Sequence, residues 1–250
     1  MGSFNSGSHR IRLRYSKTGK AKYISHLDLL ATMRRAFLRA GLELKYSEGF
    51  NPHPYISVAL PLPVGSASVC ELLDFDVSCA QGTEAIPGLI NAVLPEGIEV
   101  IRAYLPVRKF SEIQWVELSG KLFYDEATTP CTAEILAEHF AAESIVVPKK
   151  TKSGTSSIDI APFIRGIVVG NGGPQVMDTK NVSYTRNNTL SNREKEISIL
   201  TMNVRISAQN PAITPAMLLR SFDDNKRTPE PYMSEFTRVE VFDGEMKVFG

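Results

Sequence analysis

The stretch Arg10-Ile-Arg-Leu-Arg-Tyr-Ser16 alternates strictly between basic and apolar residues up to its last position. Successive side chains of a β-strand point to opposite faces, so this alternation predicts a half-buried strand with its arginines on one face. A helix is predicted to follow, because Ser25 and Asp28 fit a capping box. The helical spacing of apolar residues then continues until Gly41, where we expect the helix to end.

Similar patterns continue through the first half of the chain. Strands are predicted over 55–60, 69–77 and 98–105, and a second helix over 83–94. The order is therefore β-α-β-β-α-β, and a similar succession of elements after residue 114 suggests a repeat. We expect an α+β protein of tandem ferredoxin-like domains with antiparallel sheets, over residues 10–106 and 114–250. A polar insertion near 170–195 is predicted in the second domain, since this segment is rich in Gly, Asn and Thr.

Composition excludes several classes of protein. The chain has 250 residues, of which 43% are hydrophobic and 22% are charged, as expected of one large or two small globular domains. Its apolar runs are all shorter than the roughly 18 residues of a membrane span. Its three scattered cysteines form neither a disulfide framework nor a Cys-x-x-Cys pair. We therefore expect a cytoplasmic protein with no membrane segment and with no metal or cofactor of its own.

Basic residues are concentrated at the start of the chain. The first fifty residues carry ten basic and three acidic side chains, whereas the net charge of the whole chain is +1. Such a local excess can bind a polyanion, because cations hold phosphates and interleaved aromatic rings stack on bases. The residues predicted to bind nucleic acid are Arg12, Arg14, Lys17, Lys20, Lys22, Arg34, Arg35, Ser47 and Asn51. The alternatives are another anionic ligand, an acidic protein partner, or a simply solvated face whose arginines pair with Glu43, Glu48 or acids of the second half.

A turn-rich loop, Ser47-Glu-Gly-Phe-Asn-Pro-His-Pro54, is the most specific local feature, and we call it loop 47–54. Its glycine and prolines restrict the backbone, which is typical of a binding surface and also of a plain crossover in a sheet. If this loop meets the start of the predicted helix, His26 and His53 would share a pocket and could act as general acid and base. The alternatives are a structural or binding role for both histidines, and a metal site that lacks a third ligand at suggestive spacing.

Several motifs of the first half occur together in a known family. They are Arg12-Leu-Arg-Tyr-Ser-Lys-Thr-Gly19, Tyr23-Ile-Ser-His-Leu-Asp28, Arg35-Ala-Phe-Leu-Arg-Ala-Gly41, Tyr46-Ser-Glu-Gly-Phe-Asn-Pro-His-Pro54 and Ala59-Leu-Pro-Leu-Pro-Val-Gly65. With them the chain resembles the bacterial radical-SAM-linked protein family, which has no established activity. The second half matches more loosely, mainly at Ser157-Ile-Asp-Ile-Ala-Pro-Phe-Ile164. The resemblance implies an accessory role in a modification reaction, with RNA as the expected substrate, beside a radical SAM protein that carries a cobalamin-binding region.

Three functions follow as hypotheses. We favour a non-catalytic accessory protein that holds RNA on its basic face and on loop 47–54 and presents it to the radical SAM partner. The chain is not expected to be the radical enzyme itself, since it lacks the cysteine triplet that holds an iron–sulfur cluster. The second hypothesis is a metal-independent ribonuclease or RNA-processing enzyme that uses His26 or His53 as its base. The third is a protein-interaction module that docks only the radical SAM partner.

Overall fold

The structure divides the chain into two compact units. It is a computed structural model and describes residues 9–78, 82–125, 131–151, 154–176, 196–222 and 228–250. Unit 1 holds the chain up to Val116 and again over Thr237–Gly250, and unit 2 holds Glu117–Phe236. Unit 1 therefore combines the predicted first domain with a segment that comes much later in the chain.

A mostly antiparallel sheet organises unit 1. Its elements are β1 (His9–Lys17), α1 (His26–Arg39), β2 (Ile56–Val58), β3 (Ala67–Val77), α2 (Ile86–Asn91) and β4 (Ile98–Tyr104). β1 lies between β3 and β4, and β2 pairs with the second half of β3, all in antiparallel fashion. Thr237 and Arg238, from a later strand, pair in parallel with Ala67 and Ser68 at the start of β3.

One face of this sheet carries the core of unit 1, and α1 covers it. The buried residues of these two elements are Ile11, Leu13 and Tyr15 from β1, and Leu29, Met33, Ala36 and Phe37 from α1. The helix begins where its sequence predicts, because the Ser25 hydroxyl accepts a hydrogen bond from the backbone N–H of Asp28 at 3.1 Å. It ends before Gly41, whose φ of +74° is a conformation that glycine adopts without strain.

The strand register gives unit 1 two ends, which we call the turn end and the loop end. At the turn end Lys17 lies opposite Ser68, and at the loop end His9 lies opposite Val77. About nine residues of β3 separate the two ends, or roughly 30 Å at ~3.3 Å per residue. α1 runs from the turn end to the loop end, where its Phe37 ring stacks on Phe75 with 4.5 Å between the ring centroids.

Unit 2 is built on the remaining strands. Its elements are β5 (Trp115–Asp125), α3 (Ala133–Phe140), β6 (Val146–Thr151), β7 (Gly154–Asp159), β8 (Ile164–Val176), β9 (Glu196–Ser207), α4 (Pro215–Leu219) and the start of β10 (Met233–Phe242). β9 lies between β5 and β8, while β6 and β7 pair with each other in a separate sheet. The Thr132 hydroxyl caps α3 by accepting from the backbone N–H of Ile135. Leu136 of α3 is buried against Leu122 and Tyr124 of β5.

The predicted α+β class with mostly antiparallel strands is confirmed. Unit 1 has the predicted β-α-β-β-α-β order. Unit 2 differs from a second copy of that order, because β6 and β7 leave the main sheet. A sequence pattern indicates that a segment is extended but not which strand it pairs with, and this explains the difference. The predicted polar insertion starts inside β8, which continues to Val176, and residues 177–195 lie outside the described residues.

Candidate functional site

Each of the three alternating arginines of β1 is paired with a carboxylate. Nε of Arg10 lies 2.8 Å from Asp76, and Nε of Arg12 lies 2.6 Å from Asp74. Nη2 of Arg14 lies 3.0 Å from Glu240 of β10. The register of β1 against β3 places the first two pairs directly opposite each other, where unlike charges stabilise a sheet. This corresponds to the ion-pairing alternative for the basic excess, although with acids other than Glu43 and Glu48.

Arg12 is the most deeply placed of these arginines, with only 2% of the residue exposed. Nε and Nη2 both donate to the Asp74 carboxylate, at 2.6 and 2.8 Å. Its guanidinium carbon also lies 4.2 Å from the ring centroid of Phe110 and 5.5 Å from that of Phe249. A phosphate would have to displace the carboxylate and both rings to reach this charge.

Lys17 and Glu71 form a second buried charged group, at the turn end. Nζ of Lys17 donates to the backbone carbonyls of Lys22 and Ile24, at 3.3 and 3.1 Å. Glu71 is 2% exposed and lies 2.8 Å from Nη1 of Arg238. Burial lowers the pKa of Lys17 and raises the pKa of Glu71, since each charged form loses hydration. These contacts hold the turn end together inside the fold.

The predicted phosphate ligands therefore fall into two groups. The structure gives Arg12, Arg14 and Lys17 internal contacts instead of the predicted position on an open basic face. The candidates that reach the surface are Lys20, Lys22, Arg34 and Arg35. Lys20 and Lys22 lie at the turn end, whereas the two arginines lie on the outer side of α1. Cations remain available for binding phosphates, but they lie outside β1, on the turn that follows it and on α1.

His26 and His53 lie at opposite ends of unit 1. His26 is the first residue of α1 at the turn end, and its Nδ1 is buried without a hydrogen bond to a described residue. His53 lies in loop 47–54 at the loop end, and α1, about 20 Å long, runs between the two ends. The loop therefore does not meet the start of α1, and the two histidines are not placed to act as acid and base on one substrate.

Loop 47–54 is closed on itself by contacts between Ser47 and His53. The backbone N–H of Ser47 donates to the carbonyl of His53 at 2.9 Å, and the Ser47 hydroxyl accepts from the backbone N–H of His53 at 3.1 Å. The same hydroxyl lies 2.9 Å from Nδ1 of His53. Ser47 thus fixes the shape of the loop, whereas Asn51 is exposed to solvent. The side chain of Phe50 is fully exposed on this closed loop.

A cavity of about 210 Å³ opens beside the loop, on the sheet face that carries the arginines of β1. It is lined by Arg10, His53, Pro54, Tyr55, Ile56, Ser57, Asp74 and Asp76. The two aspartates are only 5% exposed, whereas the side chain of Arg10 is 57% exposed. The hydrogen bond to Asp76 raises the pKa of the Arg10 guanidinium, which keeps its positive charge.

Sequence reasoning missed the residues on which this cavity depends. Asp74 and Asp76 come from β3, and Ser57 of β2 lies opposite Asp74. One signal was present in the sequence, because the two aspartates are spaced two apart, like the arginines of β1, and so fall on one face of their strand. Nothing in the sequence indicated that the arginines of β1 and the aspartates of β3 lie on the same face of the sheet, since the register between distant strands is not a local property.

The described residues contain neither a cluster of metal ligands nor a membrane-spanning helix. Within the described ranges, His, Cys, Asp and Glu side chains nowhere gather in threes as a metal ion would need. Among the helices in the described part of the chain, none combines the length and the apolar character required to cross a membrane.

Comparison with known proteins places the chain in a family without an assigned activity. A search of curated proteins found no match. A family model described as "uncharacterized protein conserved in bacteria" matches residues 10–215, which include β1 to β4 of unit 1 and most of unit 2. Since this match covers well over half of the chain, the protein belongs to that family, DUF2344.

Proposed function

We propose that the protein is a non-catalytic accessory of a radical SAM modification enzyme and that it binds single-stranded RNA at the loop end of unit 1. In this proposal unit 1 is a ferredoxin-like module, which its β-α-β-β-α-β order supports. The observation that carries the proposal is the fully exposed ring of Phe50 on a loop that internal hydrogen bonds hold closed.

The exposure of Phe50 supports stacking on an unpaired base. Single-stranded nucleic acids bind to aromatic side chains on which their bases stack, at about 1–3 kcal/mol per base. A ring on a closed loop loses less conformational freedom on binding than a ring on a flexible one. Asn51, beside it, offers both a donor and an acceptor to the edge of a base.

Cations near the loop end support contacts to the RNA backbone. The second half of α1 lies at this end, because Phe37 stacks on Phe75. The free cations are Arg34, Arg35 and Arg39 on the helix and Lys45 before the loop, and none of them forms an ion pair with a residue in the described ranges. Their charges are therefore available to phosphates, which supply most of the affinity of proteins for nucleic acid.

The accessory role is supported by two further observations. The motifs between Arg12 and Gly65 resemble the radical-SAM-linked family, whose members occur with a radical SAM partner. The separation of His26 from His53 supports binding rather than acid–base catalysis by this pair.

Binding of a fluorescein-labelled uridine decamer, measured by anisotropy at 50 and 200 mM salt, tests this proposal. We expect the affinity to fall with salt and to fall about tenfold in Phe50→Ala, since one stacked base is lost. Tyr23→Ala is the matched control, because Tyr23 is an exposed aromatic residue at the turn end. Undetectable binding at the lower salt concentration, or binding that salt does not weaken, would contradict the proposal.

A second candidate function, docking of the radical SAM protein, is favoured by exposed apolar side chains at the turn end. Tyr23, Leu27 and Val64 are all more than half exposed, and Val64 comes next to Gly65, whose N–H donates to the carbonyl of Lys22. Contiguous exposed apolar surface is typical of protein interfaces. Co-elution with the purified radical SAM partner, lost in Leu27→Glu and kept in Phe50→Ala, would assign docking to this end.

A further inference from the structure

We propose that the cavity beside loop 47–54 binds a guanine base of single-stranded RNA, an inference that rests on the RNA-binding function proposed above. The cavity and the loop are contiguous, because His53 belongs to both. Its volume of about 210 Å³ is below the roughly 300–1,000 Å³ of pockets for drug-sized molecules. This size suits a single ring system rather than a larger ligand.

The charges that line the cavity favour a ligand rich in hydrogen-bond donors. Two carboxylates, Asp74 and Asp76, face one guanidinium, Arg10. Arg12 neutralises Asp74 and Arg10 neutralises Asp76, so the lining has no excess positive charge to attract a phosphate group inside. The carboxylate oxygens already accept from Arg10 and Arg12, but each oxygen has two lone pairs and can accept a second hydrogen bond.

Two cationic side chains lie near the opening of the cavity. Arg10 is half exposed there, and Lys45 lies on the other side of β3 from Arg10, since the N–H of Lys45 donates to the carbonyl of Asp76 and its carbonyl accepts from the N–H of Tyr55. Leu44 and Tyr46 pack into the core, so the Lys45 side chain points to the face of the sheet that holds the cavity. A cationic rim disfavours a basic peptide and favours a ligand that joins an anionic group to a donor-rich ring, as a nucleotide does.

Among the four bases, guanine fits a carboxylate best. Its N1–H and N2–H₂ groups are adjacent donors, and they can bind both oxygens of one carboxylate. Adenine and cytosine offer one amino group beside an acceptor nitrogen, and uracil offers one N–H between two carbonyl acceptors. In these three bases an acceptor atom would face a carboxylate oxygen and find no hydrogen-bond donor there, which costs affinity. The rings of Tyr55 and His53 in the lining add contact surface for a planar base.

Three RNA decamers of equal charge, which differ only in their central nucleoside among uridines, test the assignment on the unmodified protein. One has a central guanosine, one has a central inosine, which lacks the N2 amino group, and one has uridine throughout. We expect the guanosine decamer to bind about tenfold more tightly than the other two, because each of them lacks a hydrogen bond from the N2 amino group to a carboxylate. Equal affinity of all three decamers would overturn the guanine assignment and leave RNA binding intact. No measurable binding of any decamer would overturn both proposals.

A variant that fills the cavity gives an independent test. Ser57→Phe places a large side chain in the lining without removing a charged pair, and Ser119→Phe makes the same change at an exposed position of β5. We expect Ser57→Phe to bind the guanosine and uridine decamers equally, with uridine affinity within about twofold of the unmodified protein. Ser119→Phe should keep the preference for guanosine. A preference that survives in Ser57→Phe would contradict the proposed site.

Discussion

Arg12 is a charge held inside the fold by one carboxylate and two aromatic rings. We expect Arg12→Ala to lower the free energy of unfolding by about 3–5 kcal/mol, because it leaves the buried Asp74 carboxylate without its partner. Arg14→Ala removes a pair that is partly open to solvent and should cost about 1 kcal/mol. Urea unfolding followed by circular dichroism measures the free energy of unfolding of both variants. Similar losses in the two variants would contradict the claim that the buried ion pair contributes more to stability than the partly exposed one.

Glu71 makes the stability of unit 1 depend on pH in a defined direction. Burial raises its pKa above the ordinary 4.5, although Arg238 and Lys17 favour the charged form. The folded protein therefore holds this proton more tightly than the unfolded chain does, and its contribution to stability falls as the pH rises from about 4.5 through the raised pKa. We expect the unmodified protein to gain stability relative to Glu71→Gln as the pH is lowered from 7 to 4.5. Parallel stability profiles of the two proteins would contradict this.

At the scale of residues, the sequence predicts which positions are charged but not how their charge is used. The alternation in β1 correctly places Arg10, Arg12 and Arg14 on one face. It does not distinguish a face in contact with water from a face covered by carboxylates, because both give the same period of two. The partner Glu240 is more than two hundred residues away in the chain, so no local pattern could identify it.

At the scale of elements, close contacts between the loops that join strands and helices limit which glycines can be replaced by larger residues. Gly97 precedes β4 with a φ of +88°, and a Cβ there would lie 2.6 Å from the carbonyl oxygen of Thr18. We expect Gly97→Ala to destabilise the protein by about 2–4 kcal/mol, from backbone strain together with this overlap. Gly41→Ala has similar strain but open space around it, and should cost about 1–2 kcal/mol. Thermal unfolding of both variants measures the difference, and a smaller loss at Gly97 would contradict the role of Thr18.

Elements with local signals are predicted well, and their mutual placement is not. The cap at Ser25 and the glycine at 41 bound α1 correctly, because both act within one turn of the helix. The condition for a pocket shared by His26 and His53 is not met, since it depends on the direction in which α1 crosses the sheet. That direction follows from Phe37 packing on Phe75, a contact between distant parts of the chain.

At the scale of the whole molecule, the contacts of unit 1 indicate that the predicted first domain is not stable alone. A fragment of residues 10–106 lacks Phe249 over Arg12, Glu240 beside Arg14 and Arg238 beside the buried Glu71. We expect this fragment to lack a cooperative urea transition, because the buried carboxylate would have lost its guanidinium partner. A chain that joins residues 9–116 to 237–250 through a short Gly/Ser linker restores all three contacts and should unfold cooperatively. Equally cooperative urea transitions for both chains would contradict this expectation. They would mean that residues 10–106 fold without the later segment.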